Sequence, residues 1–420
     1  MTADRFFARR GDALFCEDLA LRVIADAVGT PCYVYSRAAI ERAWRDLDSG
    51  FGSHPHTICY AVKANSNLAV LDVLSRLGSG FDIVSGGELE RVLAAGGDPS
   101  KVVFSGVAKT AAEIEQALNA GVACIDIESL PELDRIAKVA ERIGKVAPIA
   151  LRINPDVDAK THPYIATGLR EAKFGIPLND ALVVYSNAQQ ESALAVTGIA
   201  MHIGSQIVET GPYIDAVSRI AELVKELQAA GIVLQHIDIG GGFGIQYRNE
   251  QPPTSGVFAA SVLKTLRQHG VELPVYTEPG RSIVGNAGVL LTRVEYLKEN
   301  GARNFAIVDT GMNDLLRPAL YAAWHEIEPI QMRAGQATVY DVVGPVCETG
   351  DVLGENRALT IAPDDVLAVR DAGAYGSVMS SNYNTRPRAA EVMVDGDQFY
   401  VVREREAVEH LWAGEQLLPK

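Results

Sequence analysis

One phrase recurs between residues 57 and 281 and constrains the fold more than any other feature of the chain. A short run rich in β-branched residues ends in polar or glycine residues; a helix-start signal follows, then an amphipathic stretch that closes on a glycine. TICYAVKAN (57–65) is the first such run. Ser66 can cap the helix after it, which carries Leu68, Leu71, Leu74 and Leu77 on one side and stops at Gly78. FDIVSG (81–86) follows, with Ser85 and Glu88 spaced as a capping box and Gly96 as the stop. VVFSGVAK (102–109) repeats that spacing at Thr110 and Glu113 before Gly121, and ACIDIES (123–129) repeats it at Ser129 and Glu132 before Gly144. The remaining runs are IALRINP (149–155), GIAMHIGSQ (198–206), HIDIGGG (236–242) and VYTEPGR (275–281). Apolar strands that alternate with helices predict a parallel sheet buried on both faces. Eight such units suit a closed, TIM-like (β/α)8 barrel over residues 37–282. An open doubly wound sheet is the other way to arrange the same units.

Beyond Arg281 helical spacing fades. Short β runs take over: GVLLTRVEYL (288–297), NFAIVDT (304–310), ATVYDVVG (337–344), DVLAVRD (365–371) and AEVMVDGDQFYVV (390–402). They predict a mostly antiparallel β domain, sandwich- or barrel-like, over 283–420. Residues 1–36, with PCYVYS, lack the barrel phrase and are expected to join it. Between Asn154 and Ile176 lies a loop with His162, Thr167, Gly168, Lys173 and Phe174, too long for a plain turn. It reads as a lid or as a surface excursion.

The net charge of -15 sets nucleic acid and anionic membranes aside as partners. A small anionic substrate stays open, because a local arginine cluster can still hold one. Five widely spaced cysteines without a C-x-x-C argue against a disulfide scaffold or a zinc site and for a reducing compartment. No apolar run can span a bilayer and no secretory signal is visible, so a cytoplasmic protein is the expectation, and no metal site is expected.

In such a barrel the chemistry sits where the strands end. Lys63 closes the first strand among Tyr60, Ala61, Val62 and Ala64, an apolar setting unusual for lysine. A desolvated lysine becomes a nucleophilic amine able to condense with an aldehyde; a snorkelling structural lysine is the alternative. Gly240, Gly241 and Gly242 end the seventh strand, the usual place for phosphate in this fold, although a tight turn would need glycine too. The spacing fits neither a Rossmann fingerprint nor a P-loop. Glu278, before Gly280 and Arg281, is either half of a structural ion pair or a carboxylate facing a ring nitrogen. His202 ends the sixth strand and offers a flat ring, or is a satisfied structural group. An amine, a phosphate cradle, a carboxylate and a flat ring on one rim are what pyridoxal phosphate needs.

At this point the chain resembles the fold-type III pyridoxal-phosphate decarboxylases. The likeness spans nearly the whole chain and rests on YAVKAN (60–65), HIGSQ (202–206), DIGGGFG (238–244), EPGRS (278–282), GMNDLLRPALY (311–321), GPVCETGD (344–351) and DAGAYG (371–376). Departures are small: Thr349 stands where serine is common, and AKFG (172–175) where SKFG is usual. The resemblance implies Lys63 as the Schiff-base lysine, His202 stacked on the ring and Glu278 at the pyridine nitrogen. It implies Ser205, Gly240, Gly241, Gly242, Gly280, Arg281 and Tyr375 about the cofactor and its phosphate. It gives substrate contacts to Arg281, Arg317, Tyr321, Glu348 and Tyr375, and makes Cys347 the proton donor. It further implies a homodimer in which Cys347 and Glu348 serve the partner's site.

The substrate expectation adds a charge argument. The far end of meso-diaminopimelate carries an ammonium and a carboxylate, so recognising it takes an anion and a cation. Glu348 and Arg317 are one of each, whereas an ornithine-type decarboxylase meets only an ammonium there. Racemases on a similar barrel resemble the chain less, since they place arginine at the ring nitrogen. A non-catalytic regulator would have no need of Lys63 or Cys347, and both are present.

Overall fold

The structure, a computed structural model, describes residues 6–158, 167–168 and 173–420. These form two compact units: one of Glu41–Gln246 and Glu250–Ile283, the other of Met1–Ile40, Tyr247–Asn249 and Val284–Lys420.

The first unit is a closed parallel barrel. Its strands are β1 (His56–Ala61), β2 (Gly80–Ile83), β3 (Val102–Phe104), β4 (Cys124–Ile127), β5 (Ala147–Asn154), β6 (Leu194–Ala200), β7 (His236–Asp238) and β8 (Val275–Thr277). Each pairs in parallel with the next, and β8 returns to β1 with Thr277 opposite Ile58, so the ring has no edge. The open-sheet arrangement is therefore excluded. Inside the ring lies a small-residue cluster of Cys59, Val103, Cys124, Ala150 and Ala200, with Tyr276 against it.

The helix signals act largely as spaced, with instructive exceptions. Thr110 and Glu113 form a full reciprocal capping box. Ser85 accepts the Glu88 amide, but the Glu88 carboxylate reaches past it to the Val84 N–H at 2.7 Å. Asn67, not Ser66, caps the helix Leu68–Arg76, accepting from the Ala69 amide. Ser129 makes no side-chain cap bond. Glu132 is drawn instead to the Glu128 amide and to buried Lys109, 3.1 Å away. The strands also stop earlier than their apolar runs. β1 ends at Ala61, and Lys63 sits in the single 3₁₀ turn Val62–Ala64. His202, Gly240 and Glu278 likewise fall one to two residues past the ends of β6, β7 and β8.

Of the loop between Asn154 and Ile176, residues 159–166 and 169–172, His162 included, lie outside the described residues. The lid expectation falls mostly on them. Thr167 does dock on the chain after β6, its hydroxyl donating to the His202 carbonyl at 3.0 Å.

The second unit is built about the long strand Gly288–Asn300. Cys32–Ser36, Arg303–Val308 and Val366–Val369 all pair antiparallel with it. Cys32–Ser36 also pairs in parallel with Ala390–Asp395, so the N-terminal segment is woven into this sheet. The run 390–402 is a hairpin of Ala390–Asp395 and Gln398–Arg403, turned at Gly396 with φ +66°. Two features were not foreseen: the three-stranded N-terminal sheet (Phe7–Arg10, Ala13–Cys16, Leu19–Ala20), and the strand Val352–Leu359. In the latter, Gly354, Glu355, Asn356 and Arg357 interrupt the apolar alternation, but pairing with Thr338–Val343 overrides the poor local pattern. No helix among the described residues is long and apolar enough to cross a membrane.

Candidate active site

The C-terminal mouth of the barrel gathers four buried carboxylates about one lysine. Asp82 on β2, Asp126 on β4, Asp238 on β7 and Glu278 after β8 are all buried. Acidic oxygens of Asp126, Asp238 and Glu278 lie within 4.8 Å of one another. Lys63 Nζ donates to Asp82 Oδ2 at 2.5 Å, and its side chain keeps 36% exposure while Asp82 has none. The amine is thus held by a buried acid while the side chain stays partly exposed.

Burial and crowding decide which acids keep a proton. Burial, and then the charges of Asp82 and Asp238, push Glu278 well above the ordinary carboxylate range, while Lys63 pulls it back. Burial and then Asp238 push Asp126 up in the same way. Burial lifts Asp238 to about 7, although the Gly240 N–H that donates to its Oδ1 at 2.7 Å favours the anion. Ser105 donates to Glu278 Oε1 at 3.0 Å and so orients that carboxyl. Asp82 Oδ1 and Asp238 Oδ2 are buried with no hydrogen-bond partner among the described residues.

His202 stays neutral. Burial, followed by the charges of Arg152 and Lys63, holds its pKa well below the usual value. Its Nδ1 accepts the Gly241 N–H at 3.3 Å, which leaves the proton on Nε2. Arg152 is itself tied to Glu128 at 2.7 Å. Lys63 therefore acts electrostatically on both Glu278 and His202, and the three share one mouth.

The glycines close this mouth by letting backbones touch. A Cβ on Gly240 would lie 2.3 Å from the Met201 carbonyl, on Gly241 1.9 Å from that of Glu278, and on Gly242 2.0 Å from that of Gly204. Gly240 and Gly242 also take φ of +69° and +91°. Two of the three amides already have partners, Asp238 and His202. Gly280 packs against the Lys63 turn, where a Cβ would meet that of Ala64 at 2.9 Å. Arg281 donates to Ser205 Oγ at 3.1 Å, joining the chain after β8 to that after β6.

The remaining residues singled out in the sequence belong to the second unit. Arg317 opens the one-turn helix Arg317–Tyr321, buried over the Tyr247 ring with its guanidinium 4.6 Å from the ring centre. Cys347 is an exposed free thiol whose N–H donates to Asn384 Oδ1 at 2.9 Å. Glu348 accepts from the Tyr383 hydroxyl at 3.2 Å. Tyr375 takes φ +56°, a left-handed conformation that a bulky residue adopts only when its surroundings impose it.

Sequence reading missed Asp82, Asp126, Asp238 and Arg152. Their signal was present: FDI, CIDI and HID each put an acid inside a strand whose neighbours demand burial on both faces.

The donor set suits pyridoxal phosphate: a reachable amine for the aldehyde, a proton-holding carboxyl for the ring nitrogen and a neutral flat ring. Residues 37–285 match the family model described as "Pyridoxal-dependent decarboxylase, pyridoxal binding domain". The diaminopimelate decarboxylase of Vibrio cholerae is 57% identical over 99% of this chain and 100% of its own length.

The chain belongs to the diaminopimelate decarboxylase family.

A second relative of that name, from Pseudomonas aeruginosa, is 56% identical over 99% of both chains. Two solved structures agree in fold. The diaminopimelate decarboxylase of M. jannaschii in co-complex with L-lysine superposes with a TM-score of 0.95 at 35% identity, covering 100% of this chain and 99% of that one. The Helicobacter pylori enzyme complexed with L-lysine gives 0.90 at 43% identity, covering 93% and 98%. The resemblance read from YAVKAN, HIGSQ, DIGGGFG and EPGRS is therefore a true family membership.

Proposed function

We propose that this chain decarboxylates meso-diaminopimelate to L-lysine and CO₂, with pyridoxal phosphate as cofactor. The carrying observation is the barrel mouth, where an open amine, a proton-holding carboxyl and a neutral imidazole act on one another. When bound, the cofactor supplies an electron-poor ring that takes up the electron pair left by departing CO₂.

The chain's own residues do the rest. Lys63 is the amine that would hold the cofactor's aldehyde. Asp82 holds that amine in place from below. Glu278 keeps a proton available for the ring nitrogen, which maintains the electron sink. His202, neutral and flat, supports the ring face without adding charge. Ser205 and Arg281 and the glycine loop Gly240–Gly242 receive the phosphate, with Gly280 and Tyr375 assigned to the same cofactor. Arg317, Tyr321 and Glu348 recognise the distal end of the substrate. Cys347 delivers the proton that replaces CO₂. We further infer a homodimer in which each chain lends Cys347 and Glu348 to its partner's site, working in the cytoplasm.

The test is CO₂ release from meso-diaminopimelate with and without added cofactor. Release should depend on the cofactor and yield L-lysine. Turnover of ornithine but not of diaminopimelate would overturn the substrate. Mixing inactive Lys63→Ala with Cys347→Ala should restore turnover through hybrid dimers, and no recovery would refute the shared site.

A further inference from the structure

Arg317 is held by a neighbour that the site reading did not use. After the one-turn helix Arg317–Tyr321, Ala322 takes φ +50° and turns the chain back, so that His325 returns beneath Arg317. The ring of His325 is fully buried. Its Nδ1 lies 2.7 Å from the Arg370 carbonyl, and its Nε2 lies 2.7 Å from Arg317 Nη1. A carbonyl has no proton to give, so the hydrogen of the first contact is on Nδ1. A guanidinium has only donors, so Nε2 must present its lone pair. The two contacts together fix one tautomer and exclude the imidazolium, whose second N–H would point at a cation. The His325 backbone is pinned as well, its carbonyl accepting from Arg357 Nη2 at 2.9 Å.

We propose that His325 is a positioning residue for substrate recognition: its neutral ring, fixed as the Nδ1–H form, accepts from Arg317 and aims the guanidinium at the distal carboxylate of the substrate. An arginine needs such a neutral acceptor here. A carboxylate in that position would compete with the substrate for the same charge, whereas an imidazole nitrogen orients one arm of the fork and adds no negative charge of its own. The inference rests on the reading of Arg317 as the group that binds that carboxylate.

The experiment compares His325→Asn and His325→Gln holoenzymes. Asn keeps a donor for the Arg370 carbonyl but loses the acceptor for Arg317; Gln can restore an acceptor near the Nε2 position. His325→Asn should raise KM for meso-diaminopimelate about tenfold with kcat changed by less than about twofold, the loss expected for one hydrogen bond to a charged group. Gln should recover most of the KM. In an Arg317→Ala background His325→Asn should add little, because the two act as one unit. If Arg317→Ala raises KM and His325→Asn does not, the positioning role is refuted and the reading of Arg317 stands. If Arg317→Ala itself leaves KM unchanged, that reading fails. Should the histidine variants not fold, neutron diffraction of the wild-type holoenzyme decides. Hydrogen on Nδ1 alone supports the proposal, and hydrogen on Nε2 overturns it.

Discussion

The barrel mouth and the arginine cluster of the second unit bury charge of opposite sign and solve the problem in opposite ways. Asp126, Asp238 and Glu278 crowd within 4.8 Å, and burial with mutual repulsion raises their pKa values, so they shed charge by holding protons. Arginine has no such exit, because its guanidinium stays charged in proteins. Neutral rings lie against these guanidinium groups, with Glu326 and Arg248 acting on Arg357 as well. Arg317 lies over Tyr247 and against His325 Nε2, and Arg357 stacks on the Trp324 ring, 3.2 Å from its centre. The difference teaches what each region is prepared for. On the proposed reading, the mouth adjusts its protonation when the cofactor ring binds, while Arg317 meets the anionic end of the substrate.

The sharpest way to break this contrast is to remove the Lys63 amine from the mouth. Lys63→Ala should lower CO₂ release from meso-diaminopimelate on the order of 1,000-fold or more, because the anchoring nucleophile is gone. The barrel should still fold, since burial already raises the neighbouring Asp126, Asp238 and Glu278 towards their neutral forms. Circular dichroism and thermal unfolding near neutral pH check the second half. A variant that loses its fold along with its activity would show that the acids depend on Lys63 for stability rather than on protons.

A smaller effect tests a buried base of the barrel other than His202. His236 on β7 stacks on Tyr276 with ring centres 4.3 Å apart, and burial lowers its pKa to about 4. Its ordinary value is about 6.5, so the unfolded chain takes a proton more readily than the folded one. The stability from burying the neutral ring is therefore complete above about pH 6.5 and is lost as pH falls towards 4. Asp238, raised to about 7, has the opposite sign: its contribution is complete at low pH and is lost as pH rises through 7. Comparing urea unfolding of wild type and His236→Gln isolates the histidine. Their stability difference should shrink by about 3 kcal/mol between pH 7 and pH 4. A difference that stays constant with pH would mean that folding leaves the pKa of the ring where the unfolded chain has it.

How much of this could be read beforehand depended on whether a signal was local. The eight barrel strands were legible because each is a short apolar run and most are followed by a helix that closes on a glycine, and eight repeats of one unit suit a closed ring. Lys63, His202 and Glu278 were legible because strand ends are where this fold exposes side chains. The strand Val352–Leu359 was not, because its order comes from pairing with Thr338–Val343 and not from its own pattern. Asp82 and Asp238 escaped notice as functional groups for a different reason. The reading looked for chemistry only where strands end, whereas these acids lie within the strands themselves. The role of the glycine run changed as well. Spacing suggested an anion cradle, but the distances show first a demand for backbone contact, 1.9 Å from a would-be Cβ of Gly241 to the Glu278 carbonyl.

The smallest effect probes the arginine side of the comparison. Arg357 is buried, its Nε and Nη1 have no hydrogen-bond partner among the described residues, and burial lowers its pKa to about 10. Its one hydrogen bond goes from Nη2 to the His325 carbonyl. Burying such a charge opposes folding, and a neutral side chain of similar length would remove that opposition while keeping contact with Trp324. Arg357→Met should therefore leave stability within about 1 kcal/mol of wild type, or raise it. The same change frees the His325 carbonyl, so KM for meso-diaminopimelate should rise modestly, about two- to threefold, with kcat unchanged. Stability unchanged with a higher KM would place Arg357 among the groups that serve Arg317 rather than the fold. A loss of several kcal/mol would show that the stack on Trp324 repays the buried charge in full, and the proposed contrast with the protonated acids of the barrel would then fail.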